Sequence, residues 1–147
     1  AAYAVSERVD PMQTLRDAQG FISVEVPRSW ETSLARDGWT PPGATASYPA
    51  LRVGRADDPS GVFVGLMPGT EMPNALPGHD ECANEEEPVF GSSRNRRMQT
   101  VAYTECPGVI IERVIRVSSN RWLWIQVRSE DRASANRVLD SIDTQGL

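Results

Sequence analysis

Three extended segments follow one another late in the chain, MQTVAYTEC, VIIERVIRV and RWLWIQVR, and the last two admit one register. If Ser118-Ser119-Asn120 is a three-residue loop, Val117 faces Arg121, Ile115 faces Leu123, Arg113 faces Ile125 and Ile111 faces Val127. One face then holds Ile111, Ile115, Val117, Leu123, Ile125 and Val127, with Arg113 as its misfit. A slip of one residue would set Leu123, Ile125 and Val127 against Arg116 and Glu112, because side chains alternate between faces with a period of two. The register also asks Asn120 for left-handed backbone, which asparagine tolerates. Consecutive strands of this kind predict an antiparallel meander.

The helix that closes the chain is equally legible. Ser129 is its predicted cap, Glu130 and Asp131 complement the positive end of the dipole, and Ala135, Val138, Leu139 and Ile142 fall on one stripe. That stripe is predicted to cover the aliphatic face, leaving Arg132 and Arg137 in water. At the other end, MQTLRD and GFISVEV flank the turn Asp17-Ala18-Gln19-Gly20 and predict a hairpin, with Ile22, Val24 and Val26 on one face. Pro27 lacks a ladder donor and ends the second strand. Residues 1–11 have no period and read as a tail or tether, with 12–147 as one domain. Ser29 to Gly38 suggests a short helix. SYPALRVGR and GVFVGLMP suggest two strands, and the proline-rich Gly69 to Pro88 an irregular segment.

Charge and cysteines narrow the class. The net charge is −5 and all fifteen basic residues are arginine, as a GC-rich genome would produce. That acidic balance argues against nucleic acid, which needs a clustered basic footprint. The single basic cluster, Ser92 to Arg97, reads as a solvated turn. Cys82 and Cys106 enclose a loop of about 25 residues; they read as a disulfide in preference to two separate buried thiols, and a disulfide implies an oxidising compartment. With a single histidine, a zinc site is a poor fit, and no metal or cofactor is expected. The start AAYAVSERVDP has no signal-like pattern, so membrane attachment is expected only through an upstream anchor.

The hairpin GFISVEVPRSW, the long antiparallel sheet and a closing helix ending in Leu139-Asp140-Ser141-Ile142 together resemble the PsbP-like family. Within it, the chain looks like actinobacterial lipoproteins of the LpqN type and the ectodomains of receptor-like kinases. The resemblance spans Met12 to Ile142 and implies an α+β fold. Its expected form is an α/β/α sandwich around a largely antiparallel sheet of about six strands, with an N-terminal hairpin and the C-terminal helix packed on the sheet. It also implies a domain that binds proteins or small ligands and does no chemistry.

The residues themselves carry no catalytic signature. A hydrolytic triad would need His79, which sits in a polar loop and reads as an exposed loop histidine. Asp57-Asp58 and Glu85 to Glu87 lack the spacing of paired catalytic carboxylates or calcium ligands and read as solvated loops. The aromatics say more. The second face of the last hairpin presents Ile110, Glu112, Val114 and Arg116 beside Trp122, Trp124, Gln126 and Arg128, with Arg116 opposite Trp122 for a cation–π contact. Either a second layer covers this face, or it is a groove with the tryptophans as anchors. The candidate binding residues are Trp122, Trp124, Arg116, Arg128 and Gln126, with Trp39 at the rim. Trp30 reads as a core plug.

Three functions follow. The first is an extracytoplasmic, non-catalytic binding or sensor module, anchored or secreted, recognising a protein or small ligand of the cell envelope. The second is a cell-wall carbohydrate binder that stacks sugars on Trp39, Trp122 and Trp124. The third is an enzyme of unfamiliar type around His79 and the nearby carboxylates.

Overall fold

The computed structural model describes residues 11–30, 34–54, 59–71, 77–93 and 96–144. Residues 1–10 of the expected tail and the loop aspartates Asp57 and Asp58 lie outside them.

The N-terminal hairpin forms as its alternation requires. β1 (Met12–Arg16) pairs antiparallel with β2 (Ile22–Pro27), Leu15 opposite Val24. Asp17 builds the turn: its carboxylate accepts from the backbone N–H of Ile22 at 2.8 Å and of Gln19 at 3.2 Å, and its carbonyl accepts from Gly20. Gly20 supplies the left-handed backbone, φ 77°, that closes the turn without strain. Ile22, Val24 and Val26 are fully buried, and a 3₁₀ turn at Arg28–Trp30 carries Trp30 into the same core. The short helix expected from Ser29 does not form as such. Leu34 and Ala35 are strand β3, drawn out of helix by pairing with Val53 and Arg52.

Among the described residues the main sheet has eight strands, all antiparallel. Along it run β3, β4 (Ala50–Val53), β5 (Gly61–Pro68), β10 (Arg121–Ser129), β9 (Val109–Ser118), β8 (Arg96–Thr104) and β6 (Asn84–Glu85). β7 (Val89–Ser93) also pairs with β8, and β11 (Asp143–Thr144) joins β1 and β2 in a three-stranded sheet. Among the described residues, eleven strands in two sheets replace the about six expected; short edge pairings such as β3, β6 and β11 have too few residues to leave a hydrophobic period in the sequence.

The predicted meander and register are present in β8, β9 and β10. Ile115 faces Leu123, Arg113 faces Ile125, Ile111 faces Val127 and Arg116 faces Trp122. The tip differs. Arg121 pairs with Ser118 and a bulge follows, so the turn is Ser119-Asn120 and Val117 is the extra residue. Asn120 is not left-handed; Glu105, φ 58°, is the one non-glycine residue with positive φ among those described. Arg116 stabilises this tighter turn by donating to the carbonyls of Ser118 at 3.1 Å and Ser119 at 2.7 Å.

Helix α1 (Arg132–Ser141) lies on β10, β2 and β9, with Ala135, Val138 and Leu139 buried. Its cap is Asp131, whose carboxylate accepts from the N–H of Ser134 at 2.9 Å. Ser129, the expected cap, lies two residues outside it and accepts from the N–H of Asp131. Leu15, Val24, Leu51, Val64, Leu123, Val127 and Val138 belong to one core, so the hairpin, the aliphatic face of the main sheet and α1 are packed together. α1 is the one helix longer than a turn among the described residues. The far face of the sheet is covered instead by the Trp39 and His79 segments, so the expected α/β/α sandwich lacks its second helical layer there.

Candidate functional site

That far face is organised around a buried carboxylate. Glu112, in the middle of β9, is 0% exposed, and three side chains converge on it. Trp124 donates its indole N–H to Oε1 at 2.8 Å, Gln126 donates its amide to Oε2 at 2.6 Å, and His79 Nε2 stands 2.7 Å from the same Oε2. A buried carboxylate has acceptors only, so three donors are what make its burial tolerable; an isolated charge there would cost several kcal/mol. Register brings two of the donors: Gln126 lies opposite Glu112 and Trp124 opposite Val114 on the same face.

The third donor arrives from the segment before β6. His79 is 12% exposed at its side chain, not the exposed loop histidine its surroundings suggested. Its ring meets Tyr103 edge-on at 4.9 Å, and the Tyr103 hydroxyl donates to the carbonyl of Pro77. Burial, with the charges of Glu85 and Glu112, raises the Tyr103 phenol above its ordinary value, so it stays protonated. The Cys82–Cys106 disulfide ties the segment to the end of β8, and the N–H of Cys82 donates to the carbonyl of His79. Fixing both ends of a span of 24 residues stabilises the fold by about 3 kcal/mol on the chain-entropy account.

A second cover comes from the other side. Trp39 forms an isolated bridge with Tyr48, and its indole N–H donates to the carbonyl of Leu66 at 2.9 Å. The ring rests on Gly65, where any Cβ would collide with the indole carbons. It meets Phe63 at 5.0 Å and Trp124 at 5.5 Å, both edge-on. Between this aromatic corner and the His79 segment lies an open cleft of ≈ 450 Å³. Arg52, Gln126, Arg128 and Glu81 supply its polar lining.

Of the residues singled out from the sequence, Trp39, Trp124, Gln126 and Arg128 line this one cleft. Trp122 and Arg116 lie apart from it. Trp122 is 1% exposed, with the Arg116 guanidinium over its ring at 5.9 Å, and its indole N–H has no acceptor. Sequence reasoning did not select Arg52, Phe63 or Glu112 for the site, and it considered His79 and its neighbouring carboxylates only for the enzyme reading. Glu112 had a signal, a carboxylate inside the apolar alternation of VIIERVIRV, whereas nothing local announces that His79 reaches it. Among the described residues no group of three or more His, Cys, Asp or Glu could hold a metal.

No family model and no curated protein matches this sequence. Among solved structures it is similar to the solution structure of cyanobacterial PsbP (CyanoP) from Synechocystis sp. PCC 6803. The TM-score is 0.49 and the identity 10%, over 95% of each chain.

Proposed function

We propose that the chain is a non-catalytic binding or sensor module of PsbP-like type, in the actinobacterial lipoprotein or receptor-ectodomain branch. It works outside the cytoplasm, and a small ligand or the tip of a partner seats in the cleft beside Trp39 and Trp124. The observation that carries this reading is a preformed concave site whose aromatic walls are already fixed: both indole N–H groups are spent inside the protein, on Leu66 and Glu112. The cleft offers shape and stacking surface. Among the described residues its lining holds no serine, threonine or cysteine nucleophile, and His79 Nε2 is engaged by Glu112, which supports binding over chemistry. The disulfide favours an oxidising compartment. The hairpin GFISVEVPRSW and the closing helix favour the family.

The cell-wall carbohydrate reading keeps one specific support, an indole corner that lines the same cleft as Gln126. Trp122, being buried, is no part of it.

The test is an amide and indole NMR titration with a panel of envelope glycans and small metabolites. Shifts clustering at Trp39, Phe63, Trp124 and Gln126 are expected. Shifts confined to the β7 edge, where Phe90 is 67% exposed, would refute the assignment of the seat.

A further inference from the structure

The outer edge of the main sheet is open. β6 and β7 lie end to end along β8, and among the described residues no strand takes the other edge of β7. Residues 83–92, which run along that edge, are all exposed. They include Val89 at 60% and Phe90 at 67%, the two exposed large hydrophobic side chains among the described residues. An open edge bearing apolar side chains is a template for another strand. Pro88 has no N–H to offer, so the strand available is Val89–Ser93. Charge sets the direction of pairing. Glu85, Glu86 and Glu87 precede β7, and the chain returns from it through Arg96 and Arg97 on β8. The Arg132 fork holds Glu86, whereas Glu87 and Arg97 are exposed and have no ion-pair partner among the described residues. A parallel copy of this edge would set acid beside acid; an antiparallel copy sets each acidic end beside the other's basic end.

We infer that a second copy of the chain pairs with the first along β7, antiparallel, about a two-fold axis at Gly91. That centre aligns the whole of both strands, with Phe90 opposite the partner's Ser92 and Gly91 opposite the partner's Gly91. The two Phe90 rings are then diagonal neighbours on one face, within aromatic reach of each other. Ser92 is small enough for the facing ring to lie over it, and Arg97, paired with Ser92 across β8, supplies a cation behind that ring. The pairing joins the two main sheets into one. None of these residues lines the cleft, so the interface is independent of the ligand seat. Two strands of this length bury less than the roughly 1,200 Å² of a stable complex, so the dimer is weak and salt-sensitive.

The experiment is a concentration series on the whole chain into the millimolar range, read by sedimentation equilibrium and by the amide spectrum. A mixture of labelled and unlabelled chains reports contacts between copies. Monomer–dimer exchange is expected, with the amides of β7 moving together and a Phe90–Phe90 contact between copies. Phe90→Ser and Arg97→Glu should each weaken the dimer at least tenfold, and added salt should weaken the wild-type dimer. Both side chains are exposed, so the thermal melts of the two variants should match wild type, and either variant alone decides the point if the other fails to fold. A chain that stays monomeric throughout overturns the inference and leaves the edge to a strand from another protein. Concentration-dependent shifts that spare β7, or a dimer indifferent to both substitutions, overturn it as well.

Discussion

Glu112 Oε2 and His79 Nε2, 33 residues apart in sequence, meet at 2.7 Å beneath the surface of the sheet. This contact latches the disulfide-pinned segment onto β9 and gives the cleft its second wall. Removing the carboxylate strands three donors at once. Glu112→Leu should therefore lose about 3 to 5 kcal/mol in urea unfolding, more than an apolar replacement of similar size would suggest. Glu112→Gln, which keeps one acceptor, should lose less.

His79→Ala removes one donor and leaves Trp124 and Gln126 in place. A loss of about 1 to 3 kcal/mol is expected, together with greater protease sensitivity in the segment between Pro77 and Pro88. In a double-mutant cycle His79 and Glu112 should couple strongly; additive losses would mean that the contact contributes nothing.

Gly65→Ala should eject Trp39 from its seat, because the added methyl overlaps the indole. Tryptophan emission should shift red, stability should fall by about 1 to 3 kcal/mol, and ligand binding should weaken in step. An unchanged emission spectrum would show that Trp39 does not rest there.

Acid stability has two identified contributors. The Ser134 backbone N–H holds the Asp131 carboxyl below its ordinary range, and the Arg132 fork does the same for Glu86, at 2.5 and 2.8 Å. A carboxyl lowered in the folded state stabilises above its unfolded pKa, and the gain is lost as pH falls through the folded one. Wild type should therefore lose this contribution as pH drops below about 4. The double variant Asp131→Asn, Glu86→Gln should have a shallower slope in that window, with the cap retained by the amide oxygen. Both groups are exposed, so the effect is small.

The parts legible in the sequence are those where a period repeats. Six residues of one face fixed the pairing of β9 with β10, and Ile22, Val24 and Val26 fixed the hairpin. The bulge at Val117 was invisible because a two-residue turn with a bulge and a three-residue loop produce the same facing pairs beyond Arg121. Asp131 displaced Ser129 as cap through a two-residue shift that both side chains could have served. At the site, the sheet residues Trp124, Gln126 and Arg128 were legible since strand alternation places them. His79 and Phe63 were not, since their positions depend on how distant segments fold over the sheet.

The latch itself is the central claim, and the nitrogen-15 spectrum of the His79 ring and the Trp124 indole tests it most directly. Both N–H protons should appear far downfield and exchange slowly in wild type, and both should move together in Glu112→Gln, while the Trp30 indole stays unchanged. A His79 ring exchanging freely with water, with the same spectrum in wild type and Glu112→Gln, would contradict it.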